Sequence, residues 1–238
     1  MAPDQRGTDR PRATEATPAA TVVPLRDGPG GVEVLLLHRN KRGTFGGMWV
    51  FPGGKVDPGD LAGARAASNE DSEVAGARRA AVREAREEAG LELSEADLVT
   101  LSFWIPPADA PRRFATWFFL APAAGEIVID NGEIHDHQWL SPVAAMAARD
   151  AGKVELAPPT FTTLWWLGRH RDVASALADA RSRPPERFET RIGFGSDGNL
   201  AATLWEGDAG YEDADIYRPG SRRRLWLDPA GWRVEIGG

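Results

Sequence analysis

Cysteine is absent from all 238 residues, which excludes disulfides, thiolate nucleophiles and any Cys-ligated zinc site. A cytoplasmic protein would show that absence, and the cytoplasm is the location expected. Positive charge is also short: 28 Lys and Arg face 35 Asp and Glu, giving a net charge of −7 and a pI of about 5.2. Such a balance argues against bulk nucleic acid or an anionic membrane as a main partner. No apolar run approaches the roughly 20 residues of a membrane-spanning helix, and the N-terminal stretch has no apolar segment of the signal-peptide kind. No internal repeat is visible. What remains is an ordinary globular composition, 42% hydrophobic and 26% charged. The length suits one sizeable core, or one domain with a C-terminal appendage.

The most informative stretch runs from Phe51 to Leu91. It holds FPGGKVDPGD, an interval rich in alanine and acid, and then ARRAAVREAREEAGLEL. The second part predicts a helix beginning near Val74 to Ala77, with Asp71 or Ser72 as candidate caps and Gly90 as its left-handed stop. On that helix Glu84, Glu87 and Glu88 share a face, because positions three and four apart are neighbours. Three carboxylates so close repel one another unless a cation sits among them, and hard oxygen ligands of this kind suit Mg²⁺ or Mn²⁺ together with substrate phosphates. The alternative is a solvated charged face with no site. Gly53 and Gly54 form a tight turn that would also let a phosphate or metal approach the backbone closely.

The same residues resemble the signature box of the Nudix hydrolase family. That box reads Gly, five residues, Glu, seven residues, then Arg-Glu-apolar-x-Glu-Glu-x-Gly-apolar. Gly54, Asp60 and the run Arg83, Glu84, Ala85, Arg86, Glu87, Glu88, Ala89, Gly90, Leu91 fill its positions. Two departures stand out. Asp60 replaces a Glu, and twenty-two residues separate it from Arg83, an insertion of fifteen that reads as a surface loop over about 61–76. The resemblance implies Glu84, Glu87 and Glu88 as metal ligands and Arg83 as the residue that orients a neighbouring carboxylate. Catalysis would fall to Glu88, Glu87, Arg83 and Glu133, the last either completing the metal shell or acting as general base. Arg39, Phe51, Gly53, Gly54 and Arg113 are the residues expected to meet a small-molecule diphosphate substrate. Homodimerisation is left open.

Around this stretch the chain reads as an α+β fold, a sheet with helices on its faces, which the resemblance sharpens to an α/β/α sandwich of the Nudix type over about 21–150. Residues 1–20 read as a disordered tail, and 151–238 as a helical and strand extension packing on that domain. Strands are expected at Thr21 to Leu25, Val32 to His38, Leu98 to Ile105, Phe114 to Leu120, Glu126 to Ile129 and Ile134 to Leu140. Between the second of these and the Gly-Gly turn lies a basic loop, Asn40 to Gly47. Helices are expected from Pro142 (with Ser141 as cap), from Pro158-Pro159, and over Val173 to Ser182. His135 and His137 share a face of their strand but lack further ligand-type partners for zinc, so packing or surface roles suit them better. Trp165-Trp166 read as core, with a pocket for an apolar substrate arm as the alternative.

The helix at Pro158 to Leu167 and the closing stretch EGDAGYEDADIY…RRRLWLDPAGWRVE look like the acyl-coenzyme A diphosphatase branch of the family. That likeness implies cleavage of CoA or acyl-CoA to 3′,5′-ADP and (acyl-)phosphopantetheine. A pyrophosphohydrolase of ADP-ribose, nucleotide sugars or nucleoside triphosphates would use the same helix. A non-catalytic nucleotide-binding module would have no need to hold so much unpaired charge.

Overall fold

The computed structural model describes residues 16–41, 45–64, 71–130 and 132–237. Its centre is an eight-stranded mixed sheet. A long hairpin, β1 (Thr17–Gly28) and β2 (Gly31–Arg39), turns through Pro29-Gly30. The strand therefore takes in residues 17–20, which the sequence had assigned to the tail; 1–15 lie outside the described residues. β1 pairs with β2 only near the turn, Leu25 to Gly28 against Val34 to Gly31. Beyond that the two strands part, and the segment carrying β3 (Trp49–Val50) and β4 (Gly53–Lys55) fills the gap. β3 pairs with β2 at Leu37 and His38, and β4 pairs with β1 at Ala19 to Thr21. Gly53 and Gly54, expected as a tight turn, are instead extended residues of β4 in the middle of the sheet, paired with Thr21 and Ala20 and with neither at positive φ.

Two helices follow, α1 (Pro58–Ala64) and α2 (Ser72–Ala89). The stretch 61–76, expected as an inserted surface loop, is thus not simply a loop. Its first residues extend α1, its last belong to α2, and 65–70 lie outside the described residues. Asp71 caps α2 by accepting the Glu73 N–H at 3.1 Å. Gly90, at φ 66°, ends it, with Gly90 N and Leu91 N reaching back to Arg86 O and Ala85 O, a left-handed stop that satisfies the last carbonyls. Ala77, Ala80, Ala81, Ala85 and Ala89 are all fully buried. This thin stripe at helical spacing lets α2 lie close on the sheet.

A short 3₁₀ turn, Glu95–Asp97, leads to β5 (Val99–Ile105) and β6 (Phe114–Pro122). β6 runs parallel to β1 along its full length. The segment expected as a strand at Glu126 to Ile129 is irregular instead. Val128 N donates to Ala89 O at 3.0 Å, so this backbone serves the end of α2, while Ile127 and Ile129 pack against the alanine layer. β7 (Ile134–Leu140) returns antiparallel to β2.

The remaining elements close the other face. Helices α3 (Pro142–Asp150), α4 (Pro158–Leu167) and α5 (Val173–Arg181) precede β8 (Glu186–Glu189), which adds to the main sheet parallel to β5. β9 (Arg191–Phe194), β10 (Leu200–Leu204), β11 (Arg222–Trp226) and β12 (Arg233–Gly237) form a second, antiparallel sheet. Alternation along the central strands divides the core into two layers. Ala20, Val22, Leu35, Leu37 and Phe119 face α2. Val23, Leu25, Val34, Leu36, Phe118 and Leu120 share the opposite layer with Phe161, Leu164, Leu177 and Trp205. Residues beyond 150 therefore contribute to one of the two cores. Among the described residues no helix is long and apolar enough to cross a membrane.

Candidate active site

The polar face of α2 meets the wedge between β1 and β2. Glu88 is the buried acid there, with its side chain 5% exposed. One oxygen accepts the Gly53 N–H at 2.9 Å and the other accepts Arg39 Nη1 at 3.1 Å. Burial disfavours its charged form and pushes its pKa up to about 7, although the Gly53 N–H and Arg39 oppose the shift; the nearby charges of Glu84 and Asp130 add to it. Glu84, one turn earlier and largely buried, is also raised, first by burial and then by Glu87 and Asp57, against the pull of Arg83.

The two glycines explain how acids and backbone come so close. A Cβ on Gly53 would lie 2.4 Å from Thr21 Oγ1 and 2.5 Å from Ala20 O. A Cβ on Gly54 would lie 2.3 Å from Glu84 Oε1. A side chain at Gly53 would push β1 away, and one at Gly54 would displace the Glu84 carboxylate.

Arg83 gathers the second group. Its Nη1 donates to Glu84 Oε1 at 2.8 Å and to Glu87 Oε2 at 3.3 Å. Its Nη2 donates to Asp60 Oδ2 and to Lys55 O, both at 3.0 Å. Asp60, buried at 8% exposure, stands first among the causes that raise the guanidinium pKa. Asp60 reaches Arg83 from the first turn of α1, and its Oδ2 also accepts the Asp57 N–H. Glu87 is mostly exposed.

A third group comes from the end of β2 and the loop before β7. Arg39 bridges two acids, pairing with Glu133 as well as Glu88. Its Nε is buried without a hydrogen-bond partner. Asp130 accepts the N–H groups of Glu133 and Ile134, each at 3.0 Å, and so shapes this loop. Sequence reasoning missed Asp130. Its signal was the DNGE turn, where an Asp side chain commonly takes the backbone N–H groups that follow it.

Two expected substrate residues look different in place. Phe51 is 3% exposed and meets Phe118 edge-on, so its ring is core. The twist of the wedge carries it, with Trp49, into the layer away from α2. Arg113 donates to Pro107 O and Pro106 O, which ties part of its guanidinium to the loop before β6. Trp166 is buried and Trp165 packs beside it in that same far layer. His135 is exposed on β7.

Among the described residues no three Asp, Glu or His side chains converge as a ready cage for a metal ion. The guanidinium of Arg83 stands between Glu84 and Glu87, and that of Arg39 lies on Glu88. The donor set nevertheless fits Mg²⁺ or Mn²⁺ in kind. Its ligating atoms are carboxylate oxygens, and burial raises the pKa of Glu84 and of Glu88 even with Arg83 and Arg39 alongside, so added positive charge would favour their ionised forms.

The NUDIX domain model matches residues 16–159. A Caenorhabditis elegans protein described as putative nudix hydrolase 7 is 33% identical over 78 residues, which are 32% of this chain and 26% of that protein. The match thus spans about a quarter of the relative's length. The crystal structure of a NUDIX hydrolase from Alicyclobacillus acidocaldarius superposes with a TM-score of 0.62 at 24% identity, covering 69% of this chain and 96% of that one. It shares the α+β fold.

Proposed function

The chain belongs to the Nudix family, and on that premise we propose that it hydrolyses the diphosphate linkage of a nucleoside diphosphate joined to another moiety, with Mg²⁺ or Mn²⁺ as cofactor. One observation carries the reading: on one helix face, Glu88 is buried and Glu84 partly buried against the Gly53-Gly54 backbone, and both carboxyls stay raised even with Arg39 and Arg83 beside them, so a further cation there would favour their charged forms.

Glu84, Glu87 and Glu88 would hold the ion, which would supply neutralisation of the diphosphate charge and polarisation of phosphorus. Residues of the chain do the positioning. Gly53 N–H and Arg39 clamp both oxygens of Glu88, and Arg83 holds Glu84 against Asp60 and the Lys55 carbonyl. Glu133, half exposed and tethered by Arg39, would take the proton of the attacking water. The water oxygen then forms the new P–O bond, the bridging P–O bond breaks, and the leaving phosphate keeps the electron pair. The products are a phosphate monoester and a second phosphate-bearing half.

Within this class we read CoA or acyl-CoA as the substrate, cleaved to 3′,5′-ADP and (acyl-)phosphopantetheine. The support is the sequence likeness of the Pro158–Leu167 helix and of the closing stretch. The test is a panel of CoA, acyl-CoA, ADP-ribose, nucleotide sugars and nucleoside triphosphates with Mg²⁺ or Mn²⁺, compared by kcat/KM. Phosphate-monoester release should require the ion and fall by about 10²–10⁴ in Glu88→Gln. Parental turnover in that variant would refute the site. Metal-dependent cleavage that spared CoA and acyl-CoA would refute only the substrate.

A further inference from the structure

On the far side of the sheet from α2, a cavity of about 280 Å³ opens between α4, α5, β5 and β8. Its wall is aromatic: Trp104 stacks on Phe188 at 4.0 Å, and Trp165 and Trp166 stand opposite on α4. Three features distinguish it from a packing gap. Thr162, 3% exposed, lines it, and its hydroxyl has no hydrogen-bond partner, which is unfavourable for a buried group. Ser102 accepts the Trp104 indole N–H at 2.9 Å, so its own hydroxyl proton can be donated elsewhere. The acids at the rim are already matched. Asp179 faces His170 and Arg183, and Glu186 faces Arg183 and Arg223. Arg169 is not: its guanidinium lies over the Trp165 ring at 5.1 Å and has no carboxylate partner among the described residues.

An apolar wall, hydroxyl donors in its depth and one unmatched cation at its mouth are complementary to an apolar body with a single negative end. At roughly 30 Å³ per water-sized group, the volume accommodates about nine or ten heavy atoms. We propose that this cavity is a second ligand site, for a small apolar monocarboxylate, separate from the acidic cluster and beyond the hydrolytic reading above. The chain would then sense or carry such an acid on the face away from the diphosphate chemistry.

Isothermal titration of the full chain with octanoate tests this, with octanol as the uncharged control. Octanoate should bind saturably at one site. Arg169→Gln, at an exposed position, should weaken it at least about tenfold while leaving octanol binding equal to that of the parent. Thr162→Val, close to isosteric, should raise the Tm of the free protein and weaken octanoate about fivefold. Glu88→Gln should leave the affinity unchanged. Absence of saturable octanoate binding, or parental affinity in Arg169→Gln or in Thr162→Val, would overturn the proposal. So would weakened binding in Glu88→Gln, which would move octanoate to the acidic cluster.

Discussion

Without a divalent ion, Glu88 should make the protein less stable as pH rises. Its carboxyl is pushed from an ordinary 4.5 up to about 7 by burial, and its side chain is only 5% exposed. Between those two values the folded state holds a proton that the unfolded chain has released, so unfolding free energy falls with pH. The contribution is whole below pH 4.5, is lost through pH 7 and is gone above it. A shift of that size corresponds to about 3 kcal/mol, a large fraction of the stability of an ordinary domain. The assay is urea unfolding in EDTA at half-unit steps from pH 4.5 to 8.5, for the parent and Glu88→Gln. Gln has one carbonyl oxygen for the two donors, Gly53 N–H and Arg39, so the variant carries a constant offset. The offset does not matter, because the readout is the change in the difference between the two proteins with pH. That difference should shift by about 3 kcal/mol against the parent from low to high pH. Mg²⁺ added at pH 8 should restore stability to the parent and much less to the variant, by preferential binding to the folded state. A pH-independent difference would refute the reasoning, since it would mean that Glu88 meets the same environment folded and unfolded.

Three further outcomes follow from the same geometry. Gly54→Ala places a methyl where Glu84 Oε1 now lies, so kcat/KM should drop at least about tenfold with the circular dichroism spectrum retained; unchanged kinetics would mean that Glu84 is not needed there. Phe51→Ala should cost about 3–5 kcal/mol in denaturant unfolding, as a core truncation. A rise in KM without that loss of stability would return Phe51 to the substrate site. Arg83→Lys keeps one charge but loses the fork that joins Asp60, Glu84 and the Lys55 carbonyl; it should lower stability by about 1–3 kcal/mol and reduce turnover, with parental values in both counting against the role given to Arg83.

Local chemistry was sufficient for much of this protein. The Asp71 cap, the alanine stripe and the Gly90 stop act within a few residues of chain, so α2 and the shared face of Glu84, Glu87 and Glu88 could be read directly from spacing. The hairpin turn and the proline-opened starts of α3 and α4 are legible for the same reason. The tertiary structure decided what depends on partners distant in sequence. Pairing of β3 with β2 and of β4 with β1 turned Phe51 inward and brought Gly53 N–H to Glu88, thirty-five residues later. It also set Arg39 between Glu88 and Glu133, where a reading of single residues saw only a cation free for substrate. Glu126 to Ile129 has the composition of a strand, but its backbone serves the end of α2, because hydrogen-bond partners are chosen by what stands opposite in space. Trp165 and Trp166 were visible as apolar; which face of the sheet they cover was settled only when α4 docked opposite α2, since a strand buried on both sides carries no mark of which layer is which.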